Sequence, residues 1–199
     1  MTPVVRRDER PLRALPWDDV RSILAAIDRS VPVGLRDYTL LLLMSSYGLG
    51  AGEVIRLTLD DIDWRAATLR VVRPKTGVAF VLPLLPALAQ ALVNYLQHGR
   101  PRRAPTRHLF LSMKAPHHPL SASSAIRHML VSHAKTAGVT AAYLGSHVLR
   151  HTHACRQIEQ ETSPKVLSDI LGHRSTESLS AYVRIATERL RQLPLPVPK

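Results

Sequence analysis

The sequence holds a single cysteine, Cys155, among 199 residues. One thiol closes no disulfide framework and supplies no thiolate zinc site. Long apolar runs are also missing. The longest, YTLLLLM from Tyr38 to Met44, falls far short of the roughly 20 residues that cross a bilayer. The opening MTPVVRRDERPLRALPW has no apolar h-region, which argues against a secretory signal. No internal repeat and no low-complexity block is found. Acidic residues are scarce, with 15 Asp and Glu against 27 Lys and Arg, a formal charge of +12.

That imbalance, with a sequence pI near 10.8, predicts a polyanionic partner. Nucleic acid leads because neutralising its phosphates drives affinity. An anionic membrane surface is the competitor. The basic residues are spread along the chain rather than gathered on one amphipathic segment, which disfavours it. Hydrophobic content of 45% is ordinary for a soluble globular protein, and the length suffices for one sizeable core.

Hydrophobic spacing predicts a mainly α chain with one small antiparallel β-sheet, an α+β fold. WDDVRSILAAI (17–27) carries acidic residues in its first turn and apolar residues at helical spacing. LRDYTLLLLMSSYG (35–48) is a mostly buried helix stopped by glycine, and a short helix follows at about 51–57. The period then changes. TLRVV (68–72) and VAFVLPL (78–84) are β-rich, and RPKTG between them has turn chemistry, which makes a hairpin with Lys75 at its tip. LTLDDIDW (57–64) is expected to add a short strand. Helices are expected again at 86–98, at 121–138, from the SH pair at Ser146–His147 onward, at SPKVLSDILG, and at STESLSAYVRIATERLRQL.

SHVLRHTHA concentrates chemistry. His147, Arg150 and His151 stand at i, i+3 and i+4, so they share one helical face. A bidentate phosphate-gripping cation there neighbours groups that exchange protons near neutral pH. In LGHRSTESLSAYVR, His173 follows a glycine stop and Tyr182 comes nine residues later. Tyrosine, with a free pKa near 10, needs bases and cations around it to attack a phosphate. Each residue also has a plainer reading: Tyr182 as a core tyrosine, Lys75 as a solvated turn residue, and the three histidines of 147–153 as a zinc site. The helix lacks the further ligand that a zinc site would want.

Together these segments resemble the tyrosine recombinase, or phage integrase, family. Its members carry an H-x-x-R-H helix, an L-G-H turn, a nucleophilic tyrosine at this distance and a lysine on a β-hairpin, matched here by RPKTGVAFVLPL. RDY before the buried helix and YGL…GEV…L…DDIDW are family-like too, so the likeness runs from about Pro16 to Leu193. It implies site-specific DNA cleavage and rejoining without metal, ATP or other cofactor. Tyr182 would attack the phosphodiester and form a 3′-phosphotyrosyl bond. Arg150 would hold nonbridging oxygens and Lys75 would protonate the leaving 5′ oxygen. His147 would assist proton transfer at the tyrosine, His173 would donate to the phosphate, and His151 would order the site. The compact LGH…Y spacing separates this reading from a type IB topoisomerase, which shares the chemistry.

One position departs from the family. G-L-R-x-S-E supplies its first catalytic arginine, and the aligned residues here are Gly48, Leu49, Gly50, Ala51, Gly52 and Glu53. Glu53 matches; the arginine position is Gly50. Losing one such donor typically costs about 10²–10³ in rate. A compensating cation could be Arg73, two residues before Lys75, if the strand persists that far. Arg56, about 240° around the helix from Gly50, is expected to face elsewhere, and Arg36 and Arg70 have less reason. Gly-rich backbone amides could also approach the phosphate. The alternative function is an impaired DNA-binding relative acting as a regulatory or structural subunit.

The expected organisation is a leader or linker over 1–16, the catalytic domain over 17–187 and a C-terminal tail over 188–199. The N-terminal DNA-clamping domain usual in the family has no room before Trp17. The expected partner is double-stranded DNA, bound as a tetramer through the C-terminal tail, against a monomer when free. The resemblance implies a prokaryotic, cytoplasmic, nucleoid-associated protein. The basic loop Arg100–Arg107 is expected to touch phosphates.

Overall fold

The computed structural model describes residues 14–121 and 123–171. Seven helices and one three-stranded sheet are found there. Helix α1 spans Trp17–Ala25, with Asp18 and Asp19 favourably placed against the positive end of the helix dipole. Helix α2, Pro32–Tyr47, begins with proline at N1 and ends at Gly48 in the left-handed region, φ 65°. The spacing-based expectation began it at Leu35. Pro32 gives up no useful hydrogen bond at N1, so the helix extends back to it.

Leu40, Leu41, Leu43 and Met44 are essentially inaccessible, so α2 is buried on several faces and forms the centre of the domain. It packs against α1, α4, α6 (Val148–Glu159) and the short α3, Ala51–Val54. Helix α4, Pro86–Asn94, runs into a wider turn at Tyr95–Gly99. There Tyr95 stacks on Phe110 with ring centroids 5.6 Å apart and donates its hydroxyl to Leu109 O. Burial pushes the Tyr95 phenol up to about 12. Helix α5, Ser123–Thr136, and α7, Pro164–Leu171, complete the set.

The sheet is antiparallel in the order β1 (Ile62–Asp63), β2 (Thr68–Val72), β3 (Ala79–Pro83). Leu69 and Val71 of β2 point into the core while Arg70 points out, the alternation expected of a half-covered sheet. Register pairs Arg70 with Val81 and Val72 with Ala79. The hairpin is tied to α2 by Tyr47, whose hydroxyl donates to Pro83 O and accepts from Leu85 N–H. Both the hairpin and the mainly helical frame agree with the sequence reading.

A buried ionic cluster braces α2 from the other side. Asp37 Oδ1 accepts from Arg36 Nε at 2.8 Å, and Asp37 Oδ2 lies 3.0 Å from His133 Nε2 on α5. Arg36 Nη1 donates to Leu111 O. Arg36 therefore belongs to the core and is no substitute for an arginine at position 50.

Candidate functional site

The site is assembled where the start of α3, the β2–β3 turn and the start of α6 converge. Gly50 precedes α3 with ordinary extended backbone, φ −78° and ψ 156°. It has no side chain to offer the helix, so the first turn is capped from within. Glu53 Oε2 accepts the Gly50 N–H at 2.6 Å. That is the carboxylate half of a capping box.

The same carboxylate binds two arginines. Arg150 Nη1 lies 2.9 Å from Glu53 Oε2, and Arg73 Nη1 lies 3.8 Å from Glu53 Oε1. Side-chain exposure is 9% for Glu53, 12% for Arg73 and 17% for Arg150, so solvent screens all three weakly. Arg150 is also held by Gly48 O at 3.2 Å and by Leu171 O. Arg73 lies over the Phe80 ring, its guanidinium carbon 4.4 Å from the centroid. Desolvation lowers the Arg73 pKa, the Glu53 charge opposes the shift, and the Arg150 charge adds to it. A guanidinium remains charged through such a shift.

These groups face a cleft of about 690 Å³, lined also by Lys75, His147, His151, Arg56 and Leu171. Lys75 is exposed at the tip of the turn. The turn is closed by Arg73 N–H to Val78 O at 2.9 Å and by Gly77 N–H to Arg73 O at 2.9 Å. A carboxylate between two guanidiniums, with a lysine alongside, leaves net positive charge in a concave site. Such a site suits one phosphate better than it suits a neutral substrate.

The structure thus brings together Lys75, His147, Arg150 and His151, which the sequence singled out, and adds Glu53 and Arg73 as their partners. His173 and Tyr182 lie outside the described residues, as does the C-terminal tail. Helix α6 starts at Val148, with His147 as its N-cap in helical conformation and no side-chain cap bond, so the Ser146–His147 pair precedes the helix rather than opening it. His153 does not share the cleft. It is buried against Gly48, its Nδ1 3.1 Å from Ser45 O, so the three histidines of 147–153 do not converge as a metal site.

Two further expectations are corrected. Strand β2 ends at Val72, so Arg73 reaches the cleft from the turn rather than along a strand face. Arg56 does not face away: it lines the cleft edge, with Nη1 donating to Gly52 O at 2.9 Å, because α3 is a single turn rather than a regular helix through Leu57. Arg70 is turned outward, 3.7 Å from Asp61. In the basic loop, Arg100 spends its guanidinium on Thr106 O and His108 O, and Arg107 pairs with Asp60. Two arginines of that segment therefore hold the loop in shape.

Comparison with known proteins accords with this geometry. The family model "Phage integrase family" matches residues 13–189. "Putative integrase/recombinase y4gC" of Sinorhizobium fredii is 36% identical over 187 residues, covering 92% of this chain and 95% of that protein. Tyrosine recombinase XerD of Yersinia pestis is 29% identical over 174 residues, covering 87% of this chain but 58% of the relative. Among solved structures, the XerH site-specific recombinase in a post-cleavage complex with palindromic difH substrate superposes with a TM-score of 0.78 at 19% identity. That match covers 92% of this chain and 52% of the other, and it shows a shared fold. With the family model matching most of its length and a relative of this similarity matched nearly end to end, the chain belongs to the phage integrase family.

Proposed function

We propose that the chain is a site-specific tyrosine recombinase that cleaves and rejoins double-stranded DNA through a 3′-phosphotyrosyl bond to Tyr182. The observation that carries the reading is the convergence of Arg150, Lys75, His147 and Glu53 on one cationic cleft in a chain of this family. The charge of +12 supports a polyanionic partner. So does the fold shared with XerH, whose structure is of a post-cleavage complex with its difH substrate.

In the proposed reaction the Tyr182 Oη attacks the scissile phosphorus and the bond from phosphorus to the 5′ oxygen breaks. His147 assists removal of the phenolic proton. Lys75 delivers a proton to the departing 5′ oxygen, leaving a 5′-hydroxyl. Arg150 and His173 hold the nonbridging oxygens. The phosphotyrosyl ester conserves the energy of the broken bond, so attack by a second 5′-hydroxyl rejoins DNA without ATP. Two such exchanges, within a tetramer held together by the C-terminal tails, complete recombination.

The test is covalent trapping on nicked DNA carrying the ends of the protein's own genetic element. The wild type is expected to give a denaturant-resistant adduct that Tyr182→Phe does not give. Gly50 favours a second reading, a DNA-binding subunit without cleavage of its own. That reading gains if the wild type binds this DNA and forms no adduct.

A further inference from the structure

The Gly50 position leaves a cleft that the family fills with arginine, yet the site is not short of guanidiniums. A Cβ built on Gly50 would lie 3.4 Å from Arg150 Nη1 and 3.4 Å from Glu53 Oε2. A longer side chain from that point would therefore emerge beside both. Arg73 reaches the same carboxylate from the hairpin, with Nη1 3.8 Å from the other oxygen of Glu53.

We propose that Arg73 is the second phosphate-contacting guanidinium of this site, supplied by the β2–β3 turn in place of the arginine missing from position 50. The inference rests on the recombinase reading above and gives that site its missing charge. Three observations carry it. Glu53 binds both arginines through its two oxygens, so their guanidiniums flank one point at the cleft wall. The Phe80 ring beneath the Arg73 guanidinium carbon restricts that side chain, which lowers the entropy lost on engaging a phosphate. Both Arg73 and Lys75 sit on one closed turn, so a single backbone element presents the guanidinium and the ammonium to the same cleft.

Arg56 is the rival on the cleft edge. It is exposed and bonded to its own helix at Gly52 O, without an ion pair to Glu53. A flexible side chain aimed along the helix is poorly preorganised for a transition state.

The decisive experiment compares wild type, Arg73→Ala, Arg73→Lys, Gly50→Arg and the Arg73→Ala/Gly50→Arg double variant in the trapping assay. Each is run on a normal scissile phosphate and on a methylphosphonate, which lacks one nonbridging charge. Arg73→Ala is expected to lower adduct formation about 10²–10³-fold on the phosphate. Its deficit should shrink on the methylphosphonate, and Gly50→Arg should restore it. Arg73→Lys should recover only part of the rate, because an ammonium cannot hold two oxygens side by side. A merely structural arginine would show no methylphosphonate rescue, and that result overturns the proposal.

Arg73→Ala within threefold of wild type overturns it and leaves the recombinase reading standing. A silent wild type that Gly50→Arg awakens overturns it as well, and favours the DNA-binding subunit over the recombinase reading. If no variant forms adduct, the strand-transfer reading fails, and the salt dependence of DNA binding decides on Arg73 separately. Measured in the Tyr182→Phe background, removing one phosphate contact should reduce the slope of log K against log salt by about 0.9. An unchanged slope rules Arg73 out.

Discussion

The domain contains two clusters built from nearly the same parts. In one, Asp37 sits between Arg36 and His133; in the other, Glu53 sits between Arg73 and Arg150. Both carboxylates are buried, and both clusters join segments distant in sequence. The difference is what lies beside them. Arg36 turns inward to Asp37 and Leu111 O, among the helices around α2. Arg73 and Arg150 border a cleft that also holds Lys75, His147 and His151. A charged cluster closed on itself is a brace, whereas one with an open side and surplus positive charge is a place for an anion. Sequence composition does not distinguish them; packing does.

The largest expected effect separates the two by activity. Arg150→Ala should lower strand cleavage by roughly 10³–10⁵-fold, the usual worth of a transition-state arginine. Its urea midpoint should fall modestly as well, since Glu53, Gly48 O and Leu171 O each lose a donor. Adduct yield per folded molecule is the measurement. A loss explained wholly by unfolding would place Arg150 with the braces.

Asp37→Ala should do the reverse. It strands Arg36 in the core and removes the partner of His133, so the cost should be about 3–5 kcal/mol in chemical denaturation. Cleavage per folded molecule should be unchanged. A kinetic defect in the folded fraction would mean that α2 and the cleft are coupled, and the comparison would need redrawing.

Much of the second cluster could be read in sequence and little of the first. His147, Arg150 and His151 were legible because helical spacing is local: three and four residues apart means one face. Lys75 was legible because RPKTG between two β-rich runs is a turn. Gly50 was legible as a departure, since the residues around it kept the family pattern. The pairing of Asp37 with His133 spans 96 positions and leaves no local trace, so the residues around either one do not point to the other. The Glu53–Arg73 contact was only half visible. Arg73 was a candidate by proximity to Lys75, but the reason offered, a continuing strand, was wrong because β2 stops one residue earlier. Where chain geometry repeats, spacing reveals contacts; where the chain turns, it does not.

Glu53→Gln probes how the open cluster is ordered. The amide oxygen can still accept the Gly50 N–H, so α3 should keep its cap. The charge that gathers Arg73 and Arg150 is lost, and the two guanidiniums then repel across the cleft. Cleavage should fall roughly tenfold to a hundredfold, the range for groups that orient others rather than touch substrate. Stability should fall too, by less than for Asp37→Ala, because the amide keeps the hydrogen bonds and both arginines border the cleft. A variant as active as wild type would show that Phe80 and the main-chain carbonyls alone suffice to hold the arginines.

The smallest effect concerns the floor beneath the open cluster. His153 lies three residues after Arg150, packed under Gly48, where a Cβ would come within 2.7 Å of its Cδ2. Burial lowers its pKa from the ordinary 6.5, the bond to Ser45 O opposes the shift, and the nearby Arg150 and Arg156 charges deepen it. His153 is therefore neutral in the folded protein at neutral pH and donates from Nδ1 to Ser45 O. With the folded pKa below the unfolded one, the unfolded chain takes up this proton first as pH falls. The stabilising contribution is full above 6.5 and is lost as pH drops through 6.5 toward the folded value. The slope from this residue cannot exceed about 1.4 kcal/mol per pH unit. Urea midpoints for wild type and His153→Gln, followed from neutral to mildly acidic pH, isolate it from the other histidines. The variant should start less stable, and the gap should narrow as pH falls, because only the wild type carries this penalty. Parallel curves would mean that His153 titrates freely, and that the wall behind Arg150 is wetter than its packing implies.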